Sequence, residues 1–285
     1  LSKSTFIFYY FYYLKNIFFL FPLLFFINSN ELKVISYNIR YNSPNDGINI
    51  WENRKSTISK FFIDENPDFV GLQEVTHSQL LYLSNSLVNY NFIGVGRDDG
   101  KTKGEYSPIF FNNKKYKVLI KDTFWLSSTP QKVSVGWDAS MERICTYGLF
   151  ENIDSKEKIW VFNTHFDHKG NDAKKQSTDL ILKMIKNINS NNTPLILTGD
   201  FNLNDDDLSI KKIQKQLIDV LINIEKSDDY YGTYNEFNNE LISKNRIDYI
   251  FIKNLKIKNA RHVHLQTPSK GWASDHHPVL SILKF

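Results

Sequence analysis

Cysteine is almost missing from this chain: Cys145 is the only one among 285 residues. An intramolecular disulfide is therefore excluded, and so is a zinc site built on four cysteines. Cys145 falls in the alternating run RICTYGLF, where it reads as a small buried hydrophobe rather than a nucleophile. Excess charge is scarce too. The formal net charge is +4, and setting aside Lys3 and Lys15, the only charges of the first 29 residues, leaves +2. No basic stripe runs through the sequence, only short pairs such as Lys114-Lys115 and Lys174-Lys175 that read as solvated surface. Holding duplex nucleic acid mainly by charge is thereby disfavoured, while a phosphate-bearing substrate is neither demanded nor excluded. Linkers, repeats and low-complexity segments are also missing after residue 30, so residues 30–285 read as one domain. With 41% hydrophobic and 15% aromatic residues, that domain has ample material for a packed core.

A long apolar stretch occurs only at the N-terminus. STFIFYYFYYLKNIFFLFPLLFFINSN is split in two by Lys15. Its second run, Ile17 to Ile27, has the 11-residue length of a signal-peptide core and is short for a membrane span. Lys3 and Lys15 supply a positive leading region, Ser29 is a small residue for cleavage although Ile27 suits it poorly, and no lipobox cysteine follows. Residues 1–29 are expected to be a signal peptide, or an anchor attaching the protein to a membrane through residues 4–28; a buried core helix ranks third. The expected location is periplasmic, extracellular or membrane-anchored.

Short apolar runs rich in β-branched and aromatic residues recur beyond residue 30: LKVISYN, DFVGLQE, YNFIGVG, SPIFFN, DTFWLS, RICTYGLF, IWVFNTHF, PLILTGDF, RIDYIFI and PVLSILKF. They read as strands. Arg54 to Asn66 and Asp172 to Asn189 carry apolar residues at helical spacing, and the first stops before Pro67. Many strands with a few long helices predict two packed sheets with helices outside. The sequence neighbours DTFWLS, RICTYGLF and IWVFNTHF read as hairpins, which makes the sheets mixed.

Strand after strand meets a polar residue at its end. Asn38 closes VISYN, Glu74 closes VGLQE, His165 closes WVFNTH, and Asp200 and Asn202 follow LILTG. Asp248 opens DYIF, and WASDHHPVL places Asp275, His276 and His277 together in a chain of only 7 histidines. Each residue alone reads as a turn or a solvated side chain. Their joint occurrence does not, because strand ends hold side chains rigidly while loops leave room for substrate.

The ordered motifs SYNIR, GLQEV, NTHFDH, TGDFNLN, RIDYIF and SDHHPV resemble the endonuclease/exonuclease/phosphatase superfamily over essentially all of residues 31 to 285. Longer stretches resemble an exported bacterial group of undefined substrate. More distant resemblances are to pancreatic-type deoxyribonuclease and neutral sphingomyelinase. The resemblance implies a four-layered α/β sandwich, two packed mixed β-sheets flanked by helices. It also implies hydrolysis of a phosphate ester with Mg²⁺, for which Mn²⁺ or Ca²⁺ are alternatives.

By the family pattern Glu74 is the main metal ligand, Asn38 assists at the ion or the phosphate, and Asp275 is a second ligand. Asp200 positions and deprotonates water, and Asn202 donates to a phosphate oxygen. Asp248 pairs with His276, which binds the scissile phosphate or moves a proton, and His165 contacts the phosphate from the opposite side. Arg40 stands where abasic-site endonucleases carry an acid, so a phosphate-binding role fits it better, and no tyrosine matches the one those enzymes use. Arg143 is a candidate phosphate contact, with pairing to Glu142 or a surface acid as the bland alternative. Trp125, Trp137 and Trp272 are candidate pocket walls with core as the more common reading, and Trp272 gains weight from its closeness to Asp275. His168 divides between phosphate support and a loop role, and His277 is expected to face away from His276.

The first functional reading is a phosphodiesterase or nuclease with nucleic acid as partner. Alternatives are a phosphomonoesterase or a phospholipid or inositol-phosphate hydrolase, a zinc hydrolase using His165, His168 and His276, or an inactive membrane-tethered scaffold. The scaffold predicts loss of a site residue, and none is lost. No obligate protein partner is implied.

Overall fold

Side-chain alternation along strand β1 (Glu31–Asn38) sets the architecture. Leu32 and Val34 pack into the layer between two sheets. Ile35 and Tyr37 point the other way, against helix α1 (Trp51–Glu65) and helix α2 (His77–Ser86). The computed structural model describes residues 31–223 and 231–285, which leaves the expected signal peptide or anchor outside the described residues. Among the described residues, no helix is long and apolar enough to cross a membrane.

The first sheet runs in the order β11 (Lys256–His262), β12 (Val279–Lys284), β1, β2 (Phe69–Gln73), β4 (Ile109–Asn112), β3 (Tyr90–Ile93). The second runs β5 (Tyr116–Trp125), β6 (Ile144–Asn152), β7 (Lys158–His165), β8 (Leu195–Asp200), β10 (Asp248–Lys253), β9 (Ile218–Asp219). Both are mixed, and β5, β6 and β7 form the expected antiparallel meander. Phe69, Ile109, Val161, Ile196 and Ile250 fill the layer between the sheets. The outer face of the second sheet packs Phe162, Leu197 and Phe251 against helices α3 (Asn171–Ile188) and α4 (Leu208–Gln214). The layers are helices, sheet, sheet, helices.

Strand direction decides where the polar ends meet. β1 runs parallel to β2, and β7 parallel to β8, so all four end at the same rim. β12 runs antiparallel to β1 and β10 antiparallel to β8, so these two begin there. His165, Asp200 and Asp248 lie side by side in the ladder as a result. Two residues back along β7 and β8, Asn163 and Thr198 join Gln73, the last residue of β2, in a polar layer that bonds the sheets together. Gln73 Nε2 donates to Asn163 Oδ1 (2.7 Å), and Thr198 Oγ1 donates to the same oxygen (2.9 Å). Asn163 Nδ2 donates to the carbonyls of Leu72 (2.7 Å) and Pro108 (2.9 Å). All three side chains are fully buried, and the network they form fixes the register of one sheet over the other. Gly71 is obligatory at this crossing: a Cβ there would lie 2.0 Å from Thr198 Oγ1.

The ten apolar runs all fall on strands, and both expected helices form, shifted at their ends by one to three residues. α1 ends at Asn66, in the left-handed region (φ 45°), just before Pro67. Helices α2 and α4 and strands β9 and β11 were not expected. β11, KIKNARH, is an exposed edge strand studded with Lys256, Lys258 and Arg261, which hides the apolar alternation of a strand.

Candidate active site

Asn38 sits where the two sheets meet at the rim. Its amide Nδ2 donates to Asp200 Oδ2 (2.9 Å) and Glu74 Oε1 (3.1 Å) and lies 3.5 Å from His276 Nε2. Its Oδ1 accepts the backbone N–H of Arg40 (3.0 Å), so the carbonyl is already committed to that turn. Glu74 Oε2 accepts the N–H of Tyr41 (3.1 Å). Arg40 (φ 56°), Glu74 (φ 60°) and Asn202 (φ 50°) all adopt left-handed backbone, uncommon for non-glycine residues and frequent at functional turns.

Asp200 is the centre of the cluster. Its Oδ1 accepts the N–H of Asn202 (2.9 Å), and its Oδ2 lies 3.5 Å from His165 Nε2 and 3.8 Å from His276 Nε2. Burial first, and then the charge of Asp248, push the Asp200 carboxyl up to about 7, against the opposing pull of His276. His276 Nδ1 is 2.8 Å from Asp248 Oδ2. Burial alone would lower the His276 pKa, but Asp248 and Asp200 outweigh it and hold the ring charged, well above the usual histidine range. His165 goes the other way: burial and the nearby Arg143 keep it neutral. Asn202 Nδ2 bridges His165 Nε2 (3.2 Å) and the carbonyl of Phe166 (3.1 Å).

Asp275 comes from the turn before β12. Burial and the charge of Glu74 raise its carboxyl, His276 and Arg40 lower it, and the balance stands at about 6. Arg40 approaches Asp275 at 3.7 Å but is forked onto Asp46, at 3.1 and 3.0 Å. Glu74, Asp200, Asn202, Asp275, His276, His165, Arg40 and Arg143 line one cavity of about 550 Å³. Arg143 keeps its place on the cavity with partners of its own, while Trp272 lands elsewhere. Arg143 is buried and pairs with Asp167 (3.5 Å) and His168 (3.1 Å), rather than with Glu142 or a surface acid. Trp272 does not line the cavity; its indole donates to the Asn238 carbonyl (3.1 Å) and its ring packs on His264 and His277. His277 lies on this far side, away from His276, because adjacent residues of an extended segment face opposite ways.

Several cavity and support residues escaped sequence reading. Tyr234 packs against the His276 ring, 5.1 Å between centroids, although no tyrosine motif announces it. Arg97 and Glu105 enter the cavity from the loop before β4. Arg54, buried on α1, donates to the carbonyls of Ile39 and Ala273 (both 2.8 Å) and so ties the end of β1 to the segment before Asp275. Its signal was present: Arg54 stands four residues before Ile58, on the apolar face of the helix. Gln79 clamps the turn after Asn38, accepting from Asn42 (3.1 Å) and donating to the Arg40 carbonyl (2.8 Å). The Thr76-x-x-Gln79 capping box at the start of α2 would have revealed that helix.

Asp167 supports Arg143 and the start of α3. It accepts from Ser140 Oγ (2.7 Å) and from the N–H groups of Gly170 (2.8 Å) and Lys169 (2.9 Å). Burial pushes its carboxyl up, but these donors and Arg143 prevail and hold it well below the usual carboxylate range. A folded pKa below the unfolded value means stability that is full above about pH 4–5 and lost as pH falls further. Asp167→Ala is expected to cost about 3 kcal/mol at pH 7 and to flatten the acid limb of the stability curve, as urea unfolding between pH 3 and 7 will show. An unchanged acid limb would contradict the assignment.

Solved structures similar to this chain include the mannosyl-6-phosphatase of Bacteroides thetaiotaomicron. It is 33% identical, with a TM-score of 0.81, over 89% of this chain and 100% of that one. An endonuclease/exonuclease/phosphatase of Bacteroides vulgatus is 36% identical, with a TM-score of 0.81, over 90% of this chain and 99% of its own. An uncharacterized protein of Acanthamoeba polyphaga mimivirus is 30% identical over 183 residues, 61% of this chain and 68% of that protein. The family signature spans residues 35–276, from β1 through His276, and with it the carboxylates, histidines and asparagines gathered at one rim belong to a hydrolytic phosphoesterase, a member of the endonuclease/exonuclease/phosphatase family.

Proposed function

We propose that this protein is a Mg²⁺-dependent phosphomonoesterase acting on a small hydroxyl-rich molecule such as a phosphorylated sugar. The observation that carries the substrate class is the cavity. Its volume of about 550 Å³ suits one or two sugar rings. Its arginines, Arg40, Arg97 and Arg143, are matched by Glu74, Glu105, Asp200 and Asp275, so the cavity itself offers no excess of positive charge to hold a polyanion. The likeness to a mannosyl-6-phosphatase over 89% of the chain points the same way. A nuclease would use the same centre with a longer basic groove.

The donor set fits a hard divalent ion. The charge of Glu74 raises the Asp275 carboxyl, and a cation held by these two residues would relieve that repulsion. Among the described residues, ligand atoms of Asp200, Asp248 and His276 also lie within 4.8 Å of one another. In that group His276 Nδ1 and Asp248 Oδ2 already meet each other at 2.8 Å. Asn38, with its oxygen held by Arg40, acts through its N–H donors. When bound, the ion supplies polarisation of a phosphoryl oxygen and offsets developing charge.

The remaining work falls to the chain. Asp200, an acceptor near neutral pKa, takes the proton of the attacking water. His276, charged and aimed at Asp200 and Asn38, donates to a phosphate oxygen, and Asp248 fixes its orientation. Asn202 and neutral His165 form the opposite wall. Residues 30–285 carry this activity, and the apolar residues 1–29 would export or anchor it. Phosphate release from hexose 6-phosphates in Mg²⁺, abolished by chelator, is the expected result; cleavage of DNA or RNA with no release from sugar phosphates would overturn the substrate class.

A further inference from the structure

The loop between β3 and β4 brings Arg97 and Glu105 into the cavity wall as a forked ion pair. Arg97 Nη1 donates to Glu105 Oε2 (2.7 Å) and Nη2 to Oε1 (3.1 Å), and Nη2 also meets Met141 Sδ (3.0 Å). The pair is not needed to close the loop. Backbone bonds already do so: Arg97 N–H to the Glu105 carbonyl (3.1 Å), Asp98 N–H to Lys103 (3.1 Å) and Gly96 N–H to Lys101 (3.0 Å). Asp99 Oδ1 accepts the N–H groups of Lys101 and Lys103, and Gly104 is left-handed (φ 77°) with no room for a Cβ beside Asp98. Trp125 Nε1 donates to the Arg97 carbonyl (2.7 Å) and ties the loop to the second sheet. The loop is therefore a preformed support for two charged side chains.

A largely buried ion pair is a poor way to stabilise a fold, because desolvation offsets most of the attraction. Here the side chains are 12% and 20% exposed, and both line the cavity that holds Asp200 and His276. The fork is neutral as a unit, so it does not recruit a second anion. It offers a carboxylate acceptor with spare lone pairs and guanidinium donors side by side, the complement of neighbouring hydroxyl groups that each donate and accept. Tyr41 and Tyr234 line the same cavity, each with its ring packed against a neighbour, Arg40 and His276 respectively. The pair shares its cavity with Glu74 and Arg143 as well.

We infer that the Arg97–Glu105 pair reads two adjacent hydroxyls of the sugar or polyol whose phosphate is hydrolysed, and so sets the leaving-group specificity of the site. This rests on the phosphomonoesterase reading above. The test compares hexose 6-phosphate with phenyl phosphate, which carries no hydroxyl, in the full chain with Mg²⁺. The ratio of the two kcat/KM values cancels any loss of folded protein. In Glu105→Gln the ratio is expected to fall about 10–100-fold, chiefly through KM for the sugar phosphate, and Arg97→Lys, which keeps charge but loses the fork, is expected to lower it in the same direction. An unchanged ratio in both variants, whether the two rates fall together or neither falls, overturns the inference. So does a wild type that hydrolyses phenyl phosphate and ignores the sugar. A wild type inert toward both substrates overturns the phosphomonoesterase reading itself, and this inference with it.

Discussion

Asp200→Asn is expected to lower kcat for phosphate release by about 10³–10⁴-fold while leaving the protein folded. The carboxylate stands nearest neutrality in the cluster, at about 7 against about 6 for Asp275, and an amide in its place cannot take a proton from water. Fold survives because the native site already disfavours the charge. A raised carboxyl pKa means that stability is lost as pH rises through the folded value, and Asn removes that loss. Against this, the new amide N would face a donor, Asn38 Nδ2 or the Asn202 N–H. The two effects are expected to cancel to within about 1 kcal/mol at pH 8, by urea unfolding. In the wild type, kcat/KM is expected to rise with pH as Asp200 ionises. Mg²⁺ is expected to shift that limb below pH 7, since a cation favours the carboxylate. A profile falling through the same range would remove Asp200 from the role of base.

Asp248→Asn is expected to cost about 10²–10⁴-fold without touching water or phosphate. Asp248 acts through His276: their 2.8 Å contact holds the ring oriented and charged. Asn leaves the shape and removes the charge. The readout beyond rate is the His276 ring titration by NMR, which is expected to move down in pH in the variant, because burial then dominates. A lost rate with an unmoved His276 titration would mean that Asp248 is merely structural.

Much of the site was legible because a β-strand converts sequence order into position simply. Asn38, His165, Asp200 and Asp248 stand at strand ends, Glu74 directly after β2 and His276 in the turn before β12, and the strand directions bring them to one rim. What could not be read is what sits on loops. Tyr234, Arg97 and Glu105 owe their places to turns whose course follows from tertiary bonds such as Trp125 to the Arg97 carbonyl. Trp272 shows the converse error. Three residues from Asp275 in sequence, it turns away to Asn238 and His277, because nearness along an irregular segment does not fix side-chain direction. Arg143 was read as a candidate phosphate contact and does line the cavity, but its support could not be read: Asp167 lies 24 residues on and reaches it only through pairing of β6 with β7.

Hydrolysis of hexose 6-phosphate in ¹⁸O-labelled water is the measurement to make on the central claim, that water activated at Asp200 attacks phosphorus. With Mg²⁺ present, the released phosphate is expected to carry one ¹⁸O and the sugar none, and Asp200→Asn is expected to release almost no phosphate of either kind. Label in the sugar, or release undiminished in the Asp200 variant, would contradict it.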